Sequence, residues 1–211
     1  MTLSKLKKEI IEVSRYLVIK NYIDIFDGNI SCRINNNQIL ITPKRKNKYK
    51  LSLEDLVVID YDGKKIQGKN EPSGEWRLHC MVYKERQDVN SVVHTHPLFS
   101  VALSVAGISF NKPILAETVS FVENIKEIKY VCFYTEKLAE NIKRFVKTSN
   151  IFLLKNHGLV TLGKTLDEAL FFTEKIEHLA KTIFVLKMLR KKIKRLSNKE
   201  IEEIKNLVLK T

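Results

Sequence analysis

Cysteine is scarce in this sequence, and its positions exclude two common uses of the residue. Only Cys32, Cys80 and Cys132 occur, an odd number with wide spacings and no C-x-x-C pair. An odd number of cysteines without a C-x-x-C pair indicates neither a disulfide framework nor a cysteine-rich zinc site. We therefore expect each thiol to act as a small buried hydrophobic group.

Long apolar runs are also absent. No segment approaches the roughly 20 consecutive apolar residues that cross a bilayer. Charges interrupt the opening segment MTLSKLKKEIIEVSRYL, which lacks the apolar block of a signal peptide. No internal repeat or low-complexity linker divides the 211 residues. The sequence therefore predicts a cytoplasmic protein built around one compact domain.

Acidic residues are outnumbered, with 24 Asp and Glu against 37 Lys and Arg and a formal net charge of +13. Such an excess is found in nucleic-acid-binding proteins. Here the charges are spread along the chain and no recognised nucleic-acid motif is present. A positive field also attracts small anionic substrates. We expect an anionic substrate and keep nucleic-acid binding as a minor alternative.

Hydrophobic periodicity predicts both helices and strands. The expected helices cover 3–20, 75–87, 98–106, 135–147, 165–192 and 197–208. The expected strands cover 39–41, 56–60, 91–96, 129–133, 151–154 and 159–162. This order is not a clean βαβ alternation, so we expect an α/β layered fold with a mostly antiparallel or mixed sheet covered by helices. Residues 1–195 are expected to form one domain and 196–211 a C-terminal helical extension.

Three of the histidines suggest a metal site. His94 and His96 stand at the end of an apolar strand, where residues i and i+2 point to the same face. His157 lies between two apolar strands and precedes Gly158, which permits an unusual backbone angle that would aim the imidazole. Imidazoles in this arrangement suit a divalent ion such as Zn²⁺. Either element alone is also common for purely structural reasons.

Glu75 is the candidate acid/base group. It opens a predicted helix, where a carboxylate is also favoured simply by the helix dipole. The functional interpretation is a carboxylate that caps the metal in the absence of substrate and moves a proton in its presence. His79, four residues later on the same face, is interpreted as a structural partner of the site rather than a ligand.

Three short polar segments can cradle a phosphate through backbone amides and hydroxyls. They are Gly28-Asn29-Ile30-Ser31, Thr42-Pro43 and Ser73-Gly74. We interpret all three as loops. They can form one phosphate-binding site only if they lie close together in the folded protein.

Together with Pro72–His79, Val92–Pro97 and Asn156–Val160, these segments resemble the class II aldolase/adducin family over about residues 5–190, in family order. The best-known members of that family are fuculose 1-phosphate aldolases. The resemblance implies a three-layer αβα sandwich and a homotetramer with active sites at subunit interfaces. It also implies one Zn²⁺ or other divalent transition metal per chain. The implied metal ligands are His94, His96, His157 and Glu75, with acid/base work by Glu75, and the implied phosphate-binding residues are Gly28, Asn29, Thr42, Ser73 and Gly74.

The sequence departs from the family pattern at three places. Lys44 and Arg45 stand where the family has Ser/Thr-Gly, so we expect one of them to supply charge to the phosphate. Gly74 replaces the second serine of a Ser-Ser pair. Residues 111–117 contain no tyrosine, although the family's proton-donating tyrosine lies there. The proton donor is therefore not identified by sequence.

The predicted function is a metal-dependent aldolase that cleaves a ketose 1-phosphate to dihydroxyacetone phosphate and an aldehyde. A methylthioribulose-1-phosphate dehydratase and a pentulose-phosphate 4-epimerase of the same family need nearly the same site. A non-catalytic, adducin-like domain is a further alternative.

Overall fold

A single eight-stranded sheet forms the centre of the protein. The computed structural model describes residues 2–109 and 111–208. The helices are α1 (Leu3–Ile19), α2 (Trp76–Glu85), α3 (Leu98–Val105), α4 (Glu136–Val146), α5 (Leu166–Met188) and α6 (Asn198–Val208). The strands are β1 (Asn29–Asn35), β2 (Gln38–Ile41), β3 (Val57–Asp60), β4 (Lys65–Gln67), β5 (Ser91–Thr95), β6 (Lys126–Ile128), β7 (Ile151–Leu154) and β8 (Gly158–Gly163).

The strand order is β4-β3-β2-β1-β5-β8-β7-β6. Neighbouring strands are antiparallel, except that β6 runs parallel to β7. The expected α/β fold with a mostly antiparallel or mixed sheet is therefore confirmed. Within the described part of the chain, no helix combines the length and apolarity needed to cross a membrane.

Helices cover both faces of the sheet and give the three layers. Adjacent strand residues point to opposite faces, so Val92 packs in the core under α2 and α4, and Val93 in the core under α1. A third cluster joins α3 and α5 to β7 and β8 through residues such as Leu103 and Leu159. Each fully buried aliphatic side chain contributes about 1.5–3 kcal/mol of burial free energy, so both faces stabilise the sheet.

Three predictions about local structure are wrong. Residues 129–133 form no strand; the strand is β6, whose residues 126–128 pair with β7 before the chain leaves the sheet. Helix α5 ends at Met188, because Arg190 adopts a left-handed backbone with φ of +53°. Cys132 is exposed, whereas the expected burial of Cys32 and Cys80 is confirmed.

Strand β1 was missed because its first residues are small and polar. The segment Gly28-Asn29-Ile30-Ser31, interpreted as a loop, in fact enters the sheet at Asn29, and β1 lies between β2 and β5. Its polar side chains alternate with apolar ones such as Ile30, which is buried on the opposite face. The edge strand β4 was not predicted either.

The predicted boundary between residues 195 and 196 stays a prediction. Helix α6 exists, and the Leu196 N–H donates to the carbonyl of Pro113 (3.1 Å) just before it. Met1, Phe110 and residues 209–211 belong to the two predicted segments but lie outside the described residues.

Candidate active site

The three histidines predicted from the sequence meet at one edge of the sheet. His94 ends β5, His96 follows it, and His157 lies in the turn that joins β7 to β8. Because β5 pairs with β8, these positions become neighbours. Ligand nitrogens from the three rings lie within 4.8 Å of one another.

The protonation of His94 can be read from its contacts. Its Nδ1 lies 3.1 Å from the carbonyl oxygen of Leu159, which can only accept, so Nδ1 carries the proton and Nε2 a lone pair. That lone pair faces His96 Nε2 at 3.1 Å and Glu75 Oε2 at 3.2 Å. Burial holds the pKa of His94 well below its usual range, and burial lowers the pKa of His96 as well. Neutral imidazoles are the form that binds metals.

Gly158 allows the rings to come together. A β-carbon there would lie 2.4 Å from the carbonyl oxygen of Thr95 and 2.7 Å from His96 Cδ2. The expectation that Gly158 supplies an unusual backbone angle is wrong, since it is absent from the left-handed residues and Asn156 has the positive φ, at +58°. Glycine is needed here for its lack of a side chain.

Glu75 lies at the N-cap of α2 and is 5% exposed. Its Oε1 has no hydrogen-bond partner and lies 3.6 Å from His157 Nε2. Burial raises the pKa of Glu75, and the charge of His157 lowers it. A buried carboxylate oxygen without a donor is costly unless a cation lies beside it. The donor set therefore fits a divalent ion of the Zn²⁺ type.

A chain of buried hydrogen bonds holds the other oxygen of Glu75. Asn29 Nδ2 donates to Glu75 Oε2 (2.8 Å), and Asn29 Oδ1 accepts from His79 Nε2 (2.5 Å). His79 Nδ1 then accepts from the Ser31 hydroxyl (2.6 Å), and the Tyr83 hydroxyl donates to the Ser31 carbonyl (2.9 Å). Burial lowers the pKa of His79 to about 3, so this ring is neutral at physiological pH. Its Nδ1 therefore stays an acceptor.

A cavity of about 200 Å³ opens beside Glu75, His96 and His157. The structure brings most of the predicted phosphate-binding residues to its wall, namely Gly28, Asn29, Lys44, Arg45, Ser73 and Gly74. Thr42 is not among the lining residues. It is fully buried, and its hydroxyl oxygen accepts the Ile30 N–H at 3.1 Å.

The cavity wall also contains Lys48, Phe133 and Tyr134, which the sequence did not indicate. Tyr134 has a left-handed backbone with φ of +66°, and the Nζ of Lys44 lies 5.4 Å from its ring centroid. Burial raises the pKa of Tyr134, which keeps its hydroxyl protonated. Two consecutive aromatic residues before the α4 cap were the only available signal.

This arrangement of three histidines, a buried glutamate and a polar cavity agrees with the family relationship of the sequence. Residues 8–184 match the family described as class II aldolase and adducin N-terminal domain. The chain belongs to this family.

The named relatives of this class II aldolase family member have several different activities. An L-fuculose phosphate aldolase of Methanocaldococcus jannaschii is 36% identical over 189 residues, covering 88% of this chain and 99% of the relative. A 3-oxo-tetronate 4-phosphate decarboxylase of Haemophilus influenzae is 30% identical over 204 residues, covering 95% and 96%. The crystal structure of YgbL from Klebsiella pneumoniae superposes with a TM-score of 0.88 at 28% identity, covering 97% of this chain and 99% of that one.

Proposed function

We propose that this class II aldolase family member cleaves a ketose 1-phosphate to dihydroxyacetone phosphate and an aldehyde. One observation carries the proposal: the buried carboxylate of Glu75 lies against two imidazoles, with Oε2 at 3.2 Å from His94 and the donor-free Oε1 at 3.6 Å from His157. That arrangement supports the proposal of a metal site and an acid/base group in the same place. The adjoining polar cavity provides room for a small phosphate ester.

We further propose that the resident ion is Zn²⁺, one per chain, held by His94, His96 and His157. As a Lewis acid, the ion would polarise the substrate carbonyl and favour negative charge on its oxygen. Three nitrogen donors with an open side toward a cavity are typical of a catalytic rather than a structural zinc site.

Glu75 is the group that moves the proton in this proposal. Asn29 holds its Oε2, so Oε1 is free to exchange a proton with the carbon next to the substrate carbonyl. Glu75 also lies close enough to His94 and His157 to occupy the metal before substrate binds. With substrate in the cavity, the Glu75 carboxylate would be free to accept the proton.

The deciding experiment is incubation of the purified, metal-loaded protein with a panel of ketose 1-phosphates, beginning with L-fuculose 1-phosphate. Release of dihydroxyacetone phosphate supports an aldolase. Loss of water without cleavage indicates the dehydratase, and inversion at carbon 4 of a pentulose phosphate indicates the epimerase. Because one relative is named a decarboxylase, 3-oxo-tetronate 4-phosphate belongs in the panel, with carbon dioxide as the readout. No reaction with any member supports the adducin-like alternative.

Assembly into a homotetramer, with active sites at subunit interfaces, is part of the proposal. Its support is a set of exposed apolar side chains near the end of α5, comprising Phe184, Val185, Met188 and Leu189. Contiguous exposed apolar surface marks interaction sites. Sedimentation equilibrium measures the assembly directly, and a monomer would contradict it.

We also propose a cytoplasmic location. All three cysteines are free thiols, which agrees with a reducing compartment. Cell fractionation tests this, and recovery outside the cytoplasm would contradict it.

A further inference from the structure

Lys48 is a buried lysine in the wall of the active-site cavity. Only 2% of its surface is exposed. Its Nζ donates to the carbonyl oxygens of Lys46 (3.1 Å) and Phe26 (3.4 Å). Within residues 2–109 and 111–208, no carboxylate forms a salt bridge with this ammonium; Asp27, on the same cavity wall, acts on it only at longer range.

An ammonium in this position has an unused donor. It carries three N–H groups, and two are directed at neutral carbonyl oxygens. Burial lowers the pKa of Lys48 to about 8, with Asp27 opposing the shift, so the group is mostly charged at neutral pH. A buried ammonium with no carboxylate in direct contact is unfavourable. An anionic group that enters the cavity would therefore pair with the positive charge of Lys48 and accept its free N–H.

Lys48 is better placed for this role than the two cations predicted from the sequence. Lys44 and Arg45 are exposed, so solvent and salt screen their charges. The Lys48 ammonium is instead fixed by two carbonyls, that of Lys46 in its own loop and that of Phe26 in the neighbouring 24–28 loop. A fixed donor loses little conformational entropy when it binds a ligand.

Ser73, on the same cavity wall, offers a second donor. Its hydroxyl oxygen accepts the Glu75 N–H at 3.3 Å, which leaves the hydroxyl hydrogen available. A phosphate dianion has terminal oxygens that can accept from an ammonium and a hydroxyl at the same time.

We propose that Lys48 is the fixed cation that binds the phosphate group of the substrate, with the Ser73 hydroxyl as its partner. The assignment of the ligand as a phosphate ester rests on the proposed function. Phosphate binding itself can be measured without turnover, so the two ideas can fail separately.

The test is isothermal titration of inorganic phosphate into the metal-loaded protein. Lys48→Gln keeps amide N–H donors for the two carbonyls but removes the charge. Since a hydrogen bond to a charged group is lost, its phosphate dissociation constant is expected to rise about tenfold or more. Lys50→Gln is the control, because this lysine of the same segment is exposed and does not line the cavity, and it is expected to change the dissociation constant by less than about threefold. Circular dichroism and metal content establish that both variants fold and bind metal.

A measurement on the wild-type protein covers the case in which Lys48→Gln does not fold. Because Lys48 is buried, NMR of the lysine ammonium nitrogens reads its environment without a labelling reagent. Phosphate is expected to shift the ammonium signal of Lys48 and to leave that of the exposed Lys50, which does not line the cavity, nearly unchanged.

Three results would overturn the inference: unchanged phosphate affinity in folded Lys48→Gln, an ammonium signal of Lys48 that phosphate does not alter, or no phosphate binding by wild type. If no sugar phosphate reacts but Lys48 still controls phosphate binding, the proposed function fails and this inference stands.

Discussion

The ring of Tyr134 lies directly against Gly74, so a β-carbon on residue 74 would be 2.6 Å from Tyr134 Cε1 and 2.9 Å from Cζ. Contacts under 3.0 Å are essentially never made by real β-carbons. The glycine that departs from the family's Ser-Ser pair therefore makes room for an aromatic ring. That ring is held in place by a left-handed backbone, with φ of +66°. The absence of a side chain at residue 74 and the position of the Tyr134 ring are therefore linked.

This contact predicts a rescue. Gly74→Ser alone is expected to destabilise the protein by about 1–3 kcal/mol, because it overpacks a filled space. Adding Tyr134→Gly removes the ring and relieves the left-handed backbone, so the double variant is expected to recover most of the loss. Urea unfolding of the two single variants and the double variant measures this. Simple additivity of the two single effects would show that the contact has no energetic consequence.

The second prediction concerns the metal. Purified protein is expected to hold about one Zn²⁺-like ion per chain, at about 2.0–2.1 Å from imidazole nitrogen. Elemental analysis and X-ray absorption measure these quantities. His94→Ala and His157→Ala are expected to lose most of the ion. His178→Ala is the control, because the His178 side chain is 60% exposed on α5. Full metal content in the first two variants would refute the assignment.

The third prediction separates catalysis by Glu75 from metal capping. Glu75→Gln keeps the shape and one oxygen but cannot accept a proton. Turnover is expected to fall about 10²–10⁴-fold, the usual contribution of a positioned general base. The metal should remain, because three imidazoles still hold it. Exchange of the carbon-bound proton of dihydroxyacetone phosphate with deuterium should be lost as well. Near-normal exchange would reduce Glu75 to a metal ligand.

The fourth prediction is a pH dependence due to His79. The folded-state pKa of His79 is about 3, against about 6.5 in an unfolded chain. Between these values the unfolded state binds more protons, so stability is greatest above pH 6.5 and falls toward pH 3. One such group changes the free energy of unfolding by up to about 1.4 kcal/mol per pH unit.

The matched variant for this prediction is His79→Gln, which keeps donor and acceptor groups but does not titrate. Urea unfolding of chelator-treated wild type and variant, at pH 7 and pH 5, gives the comparison. The unfolding free energy of the wild type, relative to that of His79→Gln, is expected to be lower at pH 5 than at pH 7. A difference in unfolding free energy that does not change with pH would mean that His79 has the same pKa in the folded and unfolded states.

The sequence predicted the elements whose side-chain period is regular. Helices α1 and α4 and strands β7 and β8 have clear apolar patterns, and the paired histidines follow from strand alternation. Strand β1 was missed since its polar residues face α2, where buried hydrogen bonds replace apolar contacts. A polar strand face of that kind cannot be distinguished from a loop by hydrophobicity alone.

The cavity residues Lys48 and Tyr134 could not be predicted from the sequence for a different reason. Lys48 lies in a basic run in which every lysine has the same local signal, and only the fold buries this one. Tyr134 depends on the space above Gly74, which is distant in sequence. Both depend on tertiary contacts between loops.

The pairing of β1 with β5 places Asn29 directly opposite His94, and it limits how this protein can diverge. Strand pairing changes only in whole residues, about 3.3 Å at a time, and a shift by one residue turns each side chain to the other face. Changes in strand pairing therefore cannot shift Asn29 by a small distance relative to His94. Residues 44–48 and 133–134 lie outside the ladder and can be substituted without changing it. Selection for a new substrate would act on those two loops, while the arrangement of the three histidines is inherited unchanged.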